Sequence, residues 1–374
     1  MPPSGIRRFF DLVSTMTDVI SLGVGEPDFV TPWHIREAAI WSIEKGYTTY
    51  TSNAGMFELR VLVSADVQAQ YGVSYDPTNE ILITVGVSEG LDVAMRAILE
   101  PGDEVLIPEP SFVAYKPCVS LAGGVPVPVP TDAAHDFKVQ PEAIEARLTP
   151  RTRALLLSYP SNPTGATMCR EELLPIAALC CQHNLLAISD EIYAHLTYEG
   201  EHCCVPRLPG MRERTILLNG FSKAYAMTGW RMGFAAGPAP VIQAMTKIHQ
   251  YTMMSAPTAA QMAAIEALKN GKHEREEMIQ QYNQRRQLII AGLNRIGLPC
   301  FRARGAFYVF PSVAGTGLDC ETFAERLLAE ERVAVVPGNA FGIGGEGHIR
   351  CAYAASLANI EEALRRMERF VNRL

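Results

Sequence analysis

Six short apolar runs punctuate the chain between residues 80 and 220: EILITV (80–85), DEVLIP (103–108), GVPVPVP (124–130), RALLLSYP (153–160), LLAISD (185–190) and RTILLNG (214–220). Stretches with helical spacing, such as residues 91–99 and 171–183, lie between them. Strands that are apolar throughout, instead of alternating with polar residues, are strands covered on both faces. Their alternation with helices predicts an α/β fold with a mostly parallel sheet between two helical layers. Thr31-Pro32 predicts an N-cap at Thr31 with proline in the first turn of a helix that Gly46 ends. Beyond Pro257 the pattern changes. A long helical stretch centred on residues 274–293 precedes short strands in GAFYVF (305–310), RVAVVP (332–337) and GHIRCAY (347–353), and a last helix starts near Ala358. This predicts a smaller α+β lobe joined to the sheet lobe by a long helix.

The length of 374 residues allows a large core, and the net charge of -7 without any lysine or arginine run argues against nucleic acid as a partner. A small molecule is the expected ligand. No apolar run approaches the roughly 20 residues of a membrane span, and the start MPPSGIRRFFDLV lacks the pattern of a signal peptide, so the expectation is a cytoplasmic protein with no membrane partner. The nine cysteines are scattered, and the adjacent pairs Cys180-Cys181 and Cys203-Cys204 lack the C-x-x-C spacing of a metal or redox site. Reduced thiols and no metal are expected.

In open α/β sheets, ligands bind outside the carboxyl ends of the strands. RALLLSYP runs into SNPTG, LLAISD into EIY and RTILLNG into FSK, so Asn162, Asp190, Tyr193, Ser222 and Lys223 could converge on one rim. Each alone reads as an ordinary polar side chain. Lysine, however, is rarely buried unless paired or chemically used. A lysine with a carboxylate, a phenol and an amide is what pyridoxal phosphate (PLP) asks for: an amine for a Schiff base, an acid to keep the ring nitrogen protonated, donors to the ring oxygen and a cup for the phosphate.

Seven motifs sharpen this reading: GEPDF (25–29), YTSNAGMFELR from Tyr50, SNPTG from Ser161, SDEIY from Ser189, FSKAYAMTGWRMGF (221–234), GAFY from Gly305 and RCAYA from Arg350. With these in order, the chain resembles the class I aminotransferases of PLP fold type I over nearly its whole length. The resemblance implies a homodimer with shared active sites. It also implies a large PLP-binding domain of residues 36–281 and a small domain built from residues 1–35 and 282–374. Among the implied roles, Lys223 carries the cofactor and then shuttles the substrate proton, and Asp190 pairs with the ring nitrogen. Asn162 and Tyr193 bond the ring oxygen. Ser222, Arg231, Val87 and Ser88 receive the phosphate, and Phe112 stacks on the ring. Arg350 grips the substrate α-carboxylate with help from Asn162 and Gly25, while Tyr50 reaches the phosphate of the neighbouring subunit.

The same resemblance implies ping-pong transfer of an amino group from an L-amino acid, aromatic or aspartate-type, to a 2-oxoacid such as 2-oxoglutarate. A β-lyase or another enzyme of the same fold is the alternative. A more distant one comes from Gly86-Val87-Ser88-Glu89-Gly90, a G-x-S-x-G after a strand that suits a serine hydrolase using Ser88, with a histidine such as His348. The same turn also suits a phosphate cradle at a helix N-terminus. Candidates for the substrate side-chain pocket are Ile6, Phe9, Phe10, Tyr47, Phe307 and Tyr308, and no lysine or arginine stands out for a distal carboxylate. In VVPGNAFG, Asn339 takes the place of the serine usual in the resembling branch.

Overall fold

A computed structural model describes residues 16–374. Three pocket candidates, Ile6, Phe9 and Phe10, lie outside the described residues. In chain order the elements are β1 (Ile20–Ser21), α1 (Trp33–Glu44), α2 (Phe57–Tyr71), β2 (Ile81–Thr84), α3 (Gly86–Ile98), β3 (Glu104–Glu109), α4 (Tyr115–Leu121), β4 (Val125–Pro130), α5 (Pro141–Glu145), β5 (Thr152–Leu157), α6 (Arg170–Gln182), β6 (Leu186–Asp190), β7 (Thr215–Gly220) and β8 (Gly233–Ala236). There follow α7 (Ala239–Thr252), α8 (Thr258–Asn270), α9 (Lys272–Arg295), β9 (Tyr308–Val309), α10 (Cys320–Glu331), β10 (Val333–Ala334), β11 (Val336–Pro337), β12 (Ile349–Ala352) and α11 (Leu357–Val371).

Successive side chains of a strand point to opposite faces, and here both faces are apolar. Leu155 and Leu157 of β5 pack with α6 on one side, whereas Ala154 and Leu156 pack with α3 and α4 on the other. The seven strands run in the order β2-β8-β7-β6-β5-β3-β4, parallel except for β8. The fold is therefore the expected α/β layer structure with one strand more than the six runs. The β8 segment GFAA is short and lacks β-branched residues, which is why it does not stand out in the sequence. At the far edge, β4 carries prolines at alternate positions 126, 128 and 130; they remove N–H donors from an edge that could otherwise pair with another chain.

The second lobe is built on its own core, in which α10 and α11 pack on strands β9 to β12. Helix α11 presents Ile360, Ala363, Leu364, Met367 and Phe370 at helical spacing and is capped by Ser356, whose hydroxyl accepts the amide of Asn359. Strand β1 pairs with β10 and not with the large sheet, so the described N-terminal segment belongs spatially with the C-terminal strands.

From β1 the chain crosses between the lobes as a strap, residues 22–31, pinned along its length. The Leu22 carbonyl accepts from the Ala352 amide, Asp28 pairs with Arg285 of α9 at 2.6 Å, and the Thr31 hydroxyl donates to the Ala226 carbonyl at 2.6 Å while accepting from Trp230 Nε1 at 3.0 Å. This corrects one sequence expectation. Thr31 does not cap α1, because its hydroxyl is spent on the loop that follows β7; Pro32 is the N-cap, with no side-chain cap.

Candidate active site

The carboxyl ends of β5, β6 and β7 and the start of β8 open onto a cavity of about 580 Å³, closed on its other side by the strap and by β12. Its lining includes Gly25, Val87, Ser88, Phe112, Asn162, Asp190, Tyr193, Ser222, Lys223, Arg231 and Arg350, so the structure brings together every residue named from the sequence for the cofactor or the substrate α-carboxylate except Tyr50. The register explains why. Asp190 is the last residue of β6, opposite Leu218 of β7, and Lys223 follows the end of β7 by three residues.

Lys223 is half-buried, and its Nζ donates to the Gly25 carbonyl at 2.7 Å, with the rings of Tyr193 and Phe307 5.9 and 5.6 Å away. Burial pulls its pKa down to about 8, Arg350 and Arg231 push the same way, and Glu26 opposes them. Asp190 is pushed up to about 6 by burial, against the hydrogen bond it accepts from the Tyr115 hydroxyl at 2.8 Å. Tyr115 is the functional residue that motif reading missed. It lies three positions after Phe112, at the start of α4, and that spacing brings their rings within 5.6 Å in an edge-on pair.

Arg350 is 4% exposed. Its Nη1 donates to Asn162 Oδ1 at 2.9 Å and its Nη2 to the Gly23 carbonyl at 2.6 Å, between the rings of Tyr308 at 4.5 Å and Phe341 at 4.8 Å. No carboxylate among the described residues pairs with it, and its Nε is buried without a partner. A buried guanidinium that stays charged costs several kcal/mol unless an anion meets it, so the site is built for one. Tyr193 and Tyr308 share a hydrogen bond of 2.9 Å beside it, and Gly25 has no room for a side chain because a Cβ there would fall 2.2 Å from the Tyr308 hydroxyl.

A second anion cup lies at the N-terminus of α3. Gly86 has φ +73°, and a Cβ on it would come within 2.5 Å of Arg231 Nη2, so glycine both makes the turn and admits the guanidinium. Arg231 Nη1 donates to the Thr228 carbonyl at 2.9 Å, and no ion pair within the described residues neutralises it. The free amides of the first helical turn, the Ser88 and Ser222 side chains and this arginine together suit a phosphate.

Tyr50 is 80% exposed and stands away from the cavity, as does Tyr47; Phe307 is buried behind Lys223, and of the described pocket candidates Tyr308 alone lines the cavity. Ser88 has no histidine among the residues lining the cavity, and His348 instead stacks on Phe310 and bonds the Glu346 carbonyl, so a hydrolytic triad does not form. Asn339 sits in a short helical turn where its carbonyl accepts from Gly342, and nothing in the structure explains the departure from serine.

Residues 17–367 match the family model described as "Aminotransferase class I and II". The chain is 55% identical over 371 residues to YugH of Bacillus subtilis (strain 168), named as an aminotransferase with no stated substrate, covering 99% of this chain and 96% of that one. It is 44% identical over 370 residues to an aspartate aminotransferase of Pyrococcus abyssi, covering 98% and 95%. It superposes with a TM-score of 0.94 and 44% identity on the crystal structure of an aromatic aminotransferase from Pyrococcus horikoshii OT3, covering 98% of this chain and 99% of that one. With a lysine and a carboxylate at the strand ends between two anion sites, on a fold shared over the full length of these relatives, the chain belongs to the class I and II aminotransferases and is an aminotransferase.

Proposed function

We propose that the protein uses pyridoxal 5'-phosphate to move the amino group of an L-amino acid, aromatic in preference to acidic, to a 2-oxoacid such as 2-oxoglutarate. The observation that carries this reading is the buried, anion-less Arg350 in one cavity with Lys223 and a second, phosphate-sized cup. The donor set fits the cofactor: three cations and a helix N-terminus stand against Asp190 and Glu26, which suits a ligand pair with one phosphate and one carboxylate.

Arg231, Ser222, Ser88 and the α3 amides would hold the phosphate, Asp190 would face the ring nitrogen, Asn162 and Tyr193 the ring oxygen, and Phe112 the ring face. When bound, PLP supplies an electron sink conjugated to the substrate Cα. Arg350 and Asn162 orient the substrate through its α-carboxylate, presenting the Cα hydrogen to Lys223. The Nζ amine then takes that proton, and its low pKa suits it to act as a base near neutrality. The Tyr115 hydroxyl keeps Asp190 oriented and favours its ionised form.

The preference for an aromatic donor rests on two features. All three cations lining the cavity already have assignments, so none of the described lining residues is left for a distal carboxylate. Val24, Leu91, Val113 and Ile192 supply apolar wall. A homodimer is supported by the exposed apolar side chains Trp33, Trp41, Tyr47, Tyr50, Tyr251 and Met253; the loop bearing Tyr50 is tied to the segment after α7 by Asn53 Nδ2 donating to the Met254 carbonyl at 2.7 Å. In such a dimer Tyr50 would reach the partner's phosphate cup. The pairing of β1 with β10 supports the division into residues 36–281 and a small domain from both ends, and cytoplasmic residence accords with substrates from amino-acid metabolism.

The test is an absorbance spectrum of PLP-loaded protein while single L-amino acids are added without oxoacid. The visible cofactor band should give way to a near-ultraviolet one, fastest with an aromatic amino acid. A band unmoved by every amino acid would sink the reading, as would turnover retained in Lys223→Ala, for which a loss of about 10⁴-fold or more is expected.

A further inference from the structure

Behind the anion cup lies a buried pair that the reaction as described does not use. Glu89, in the first turns of α3, is 9% exposed and points inward, and His249, near the end of α7, is fully buried. His249 Nδ1 donates to Glu89 Oε1 at 2.5 Å, and the second carboxylate oxygen accepts the Val85 amide, also at 2.5 Å. His249 Nε2 is buried without a partner. A carboxylate here needs a reason, because it stands one turn from a cup for anions.

The reason is the turn itself. Val85 is the N-cap of α3, its apolar side chain caps nothing, and the β2 ladder has ended at Thr84. Glu89 supplies the acceptor that this residue's amide lacks, one position before Gly86, where the chain swings to aim the amides of Val87 and Ser88 at the cup. His249 ties that carboxylate to α7, and its own carbonyl accepts the amides of both Met253 and Met254, the turn beside the loop of Tyr50.

We infer that Glu89 and His249 are a positioning pair that sets the geometry of the phosphate cup, and through it the preference of the protein for the phosphorylated cofactor over pyridoxal. The inference rests on the PLP reading above and concerns how tightly one end of the cofactor is held.

The experiment compares the Kd of apo-protein for PLP and for pyridoxal, each followed by absorbance, in the wild type, Glu89→Gln and Glu89→Ala. Removing the acceptor strands a buried amide. Glu89→Ala should therefore weaken PLP binding about tenfold while leaving pyridoxal within about twofold, and Glu89→Gln, which keeps an acceptor for Val85, should restore most of the PLP affinity. Equal PLP affinity in Glu89→Ala, or equal loss for both ligands, would overturn the inference. A wild type that binds no PLP would instead overturn the parent reading. Circular dichroism checks folding; should Glu89→Ala fail to fold, His249→Phe, which leaves Glu89 on Val85 but cuts its tether to α7, carries the same comparison. A several-fold loss confined to PLP is then expected, and no selective loss contradicts the pair's role.

Discussion

The two arginines of the cavity solve one problem, holding an anion, in opposite ways. Arg350 is buried, wedged between two aromatic rings and fixed by two carbonyl-type acceptors, with one face left unpaired. Arg231 is exposed, has a single backbone partner and shares its work with a helix N-terminus and two serines. A rigid fork in a dry slot reads the shape and orientation of one planar group, whereas a diffuse set of donors tolerates the loss of any one member. The first suits a substrate that must be oriented anew at each turnover; the second suits a cofactor that stays.

Between the two ends, the group whose change should exceed either arginine's is Asp190. Asp190→Asn should leave PLP bound, as read by absorbance, and cut kcat by about a hundredfold or more, since a neutral amide cannot favour a protonated ring. Near-normal kcat would remove Asp190 from its role. Next, Arg350→Lys, one point charge for a fork, should raise KM about ten- to a hundredfold for amino acid and oxoacid alike; an unchanged KM places the carboxylate elsewhere. Arg231→Lys should do less, raising the Kd for PLP by only about three- to tenfold, because the α3 amides and serines remain. If Arg231→Lys cost more than Arg350→Lys, the contrast between the two ends would fall.

The smallest effect is a shift in pH. With Lys223 held at about 8, its neutral fraction climbs tenfold per pH unit below that value and levels off above it. The rate of PLP capture by apo-protein should therefore bend near pH 8, whereas a lysine of ordinary pKa would still be gaining at pH 9. Glu26 favours the ammonium form, so Glu26→Gln should move the bend to lower pH; a bend that stays or moves up would contradict that sign.

The residues of the central set were legible because each sits where a readable strand ends: Asn162 after β5, Asp190 on β6, Lys223 after β7. Arg350 was legible only through the resemblance, since nothing in IRCAY says that the arginine points into a cavity. What stayed hidden depends on long-range placement. Glu89 and His249 are 160 positions apart, and their contact exists only because α3 and α7 pack together. The strap's anchors, Asp28 on Arg285 and Thr31 on Ala226, span 257 and 195 positions, and the Thr31 contact displaced a locally sensible cap.

The most direct test of the central claim, that the buried guanidinium of Arg350 exists to take the α-carboxylate, is to follow the cofactor band of PLP-loaded protein with L-phenylalanine and, separately, with 2-phenylethylamine, which is the same molecule without the carboxylate. Conversion by the amino acid with at least about a hundredfold slower conversion by the amine is the predicted result. Equal rates for the two would show that the substrate is oriented without Arg350.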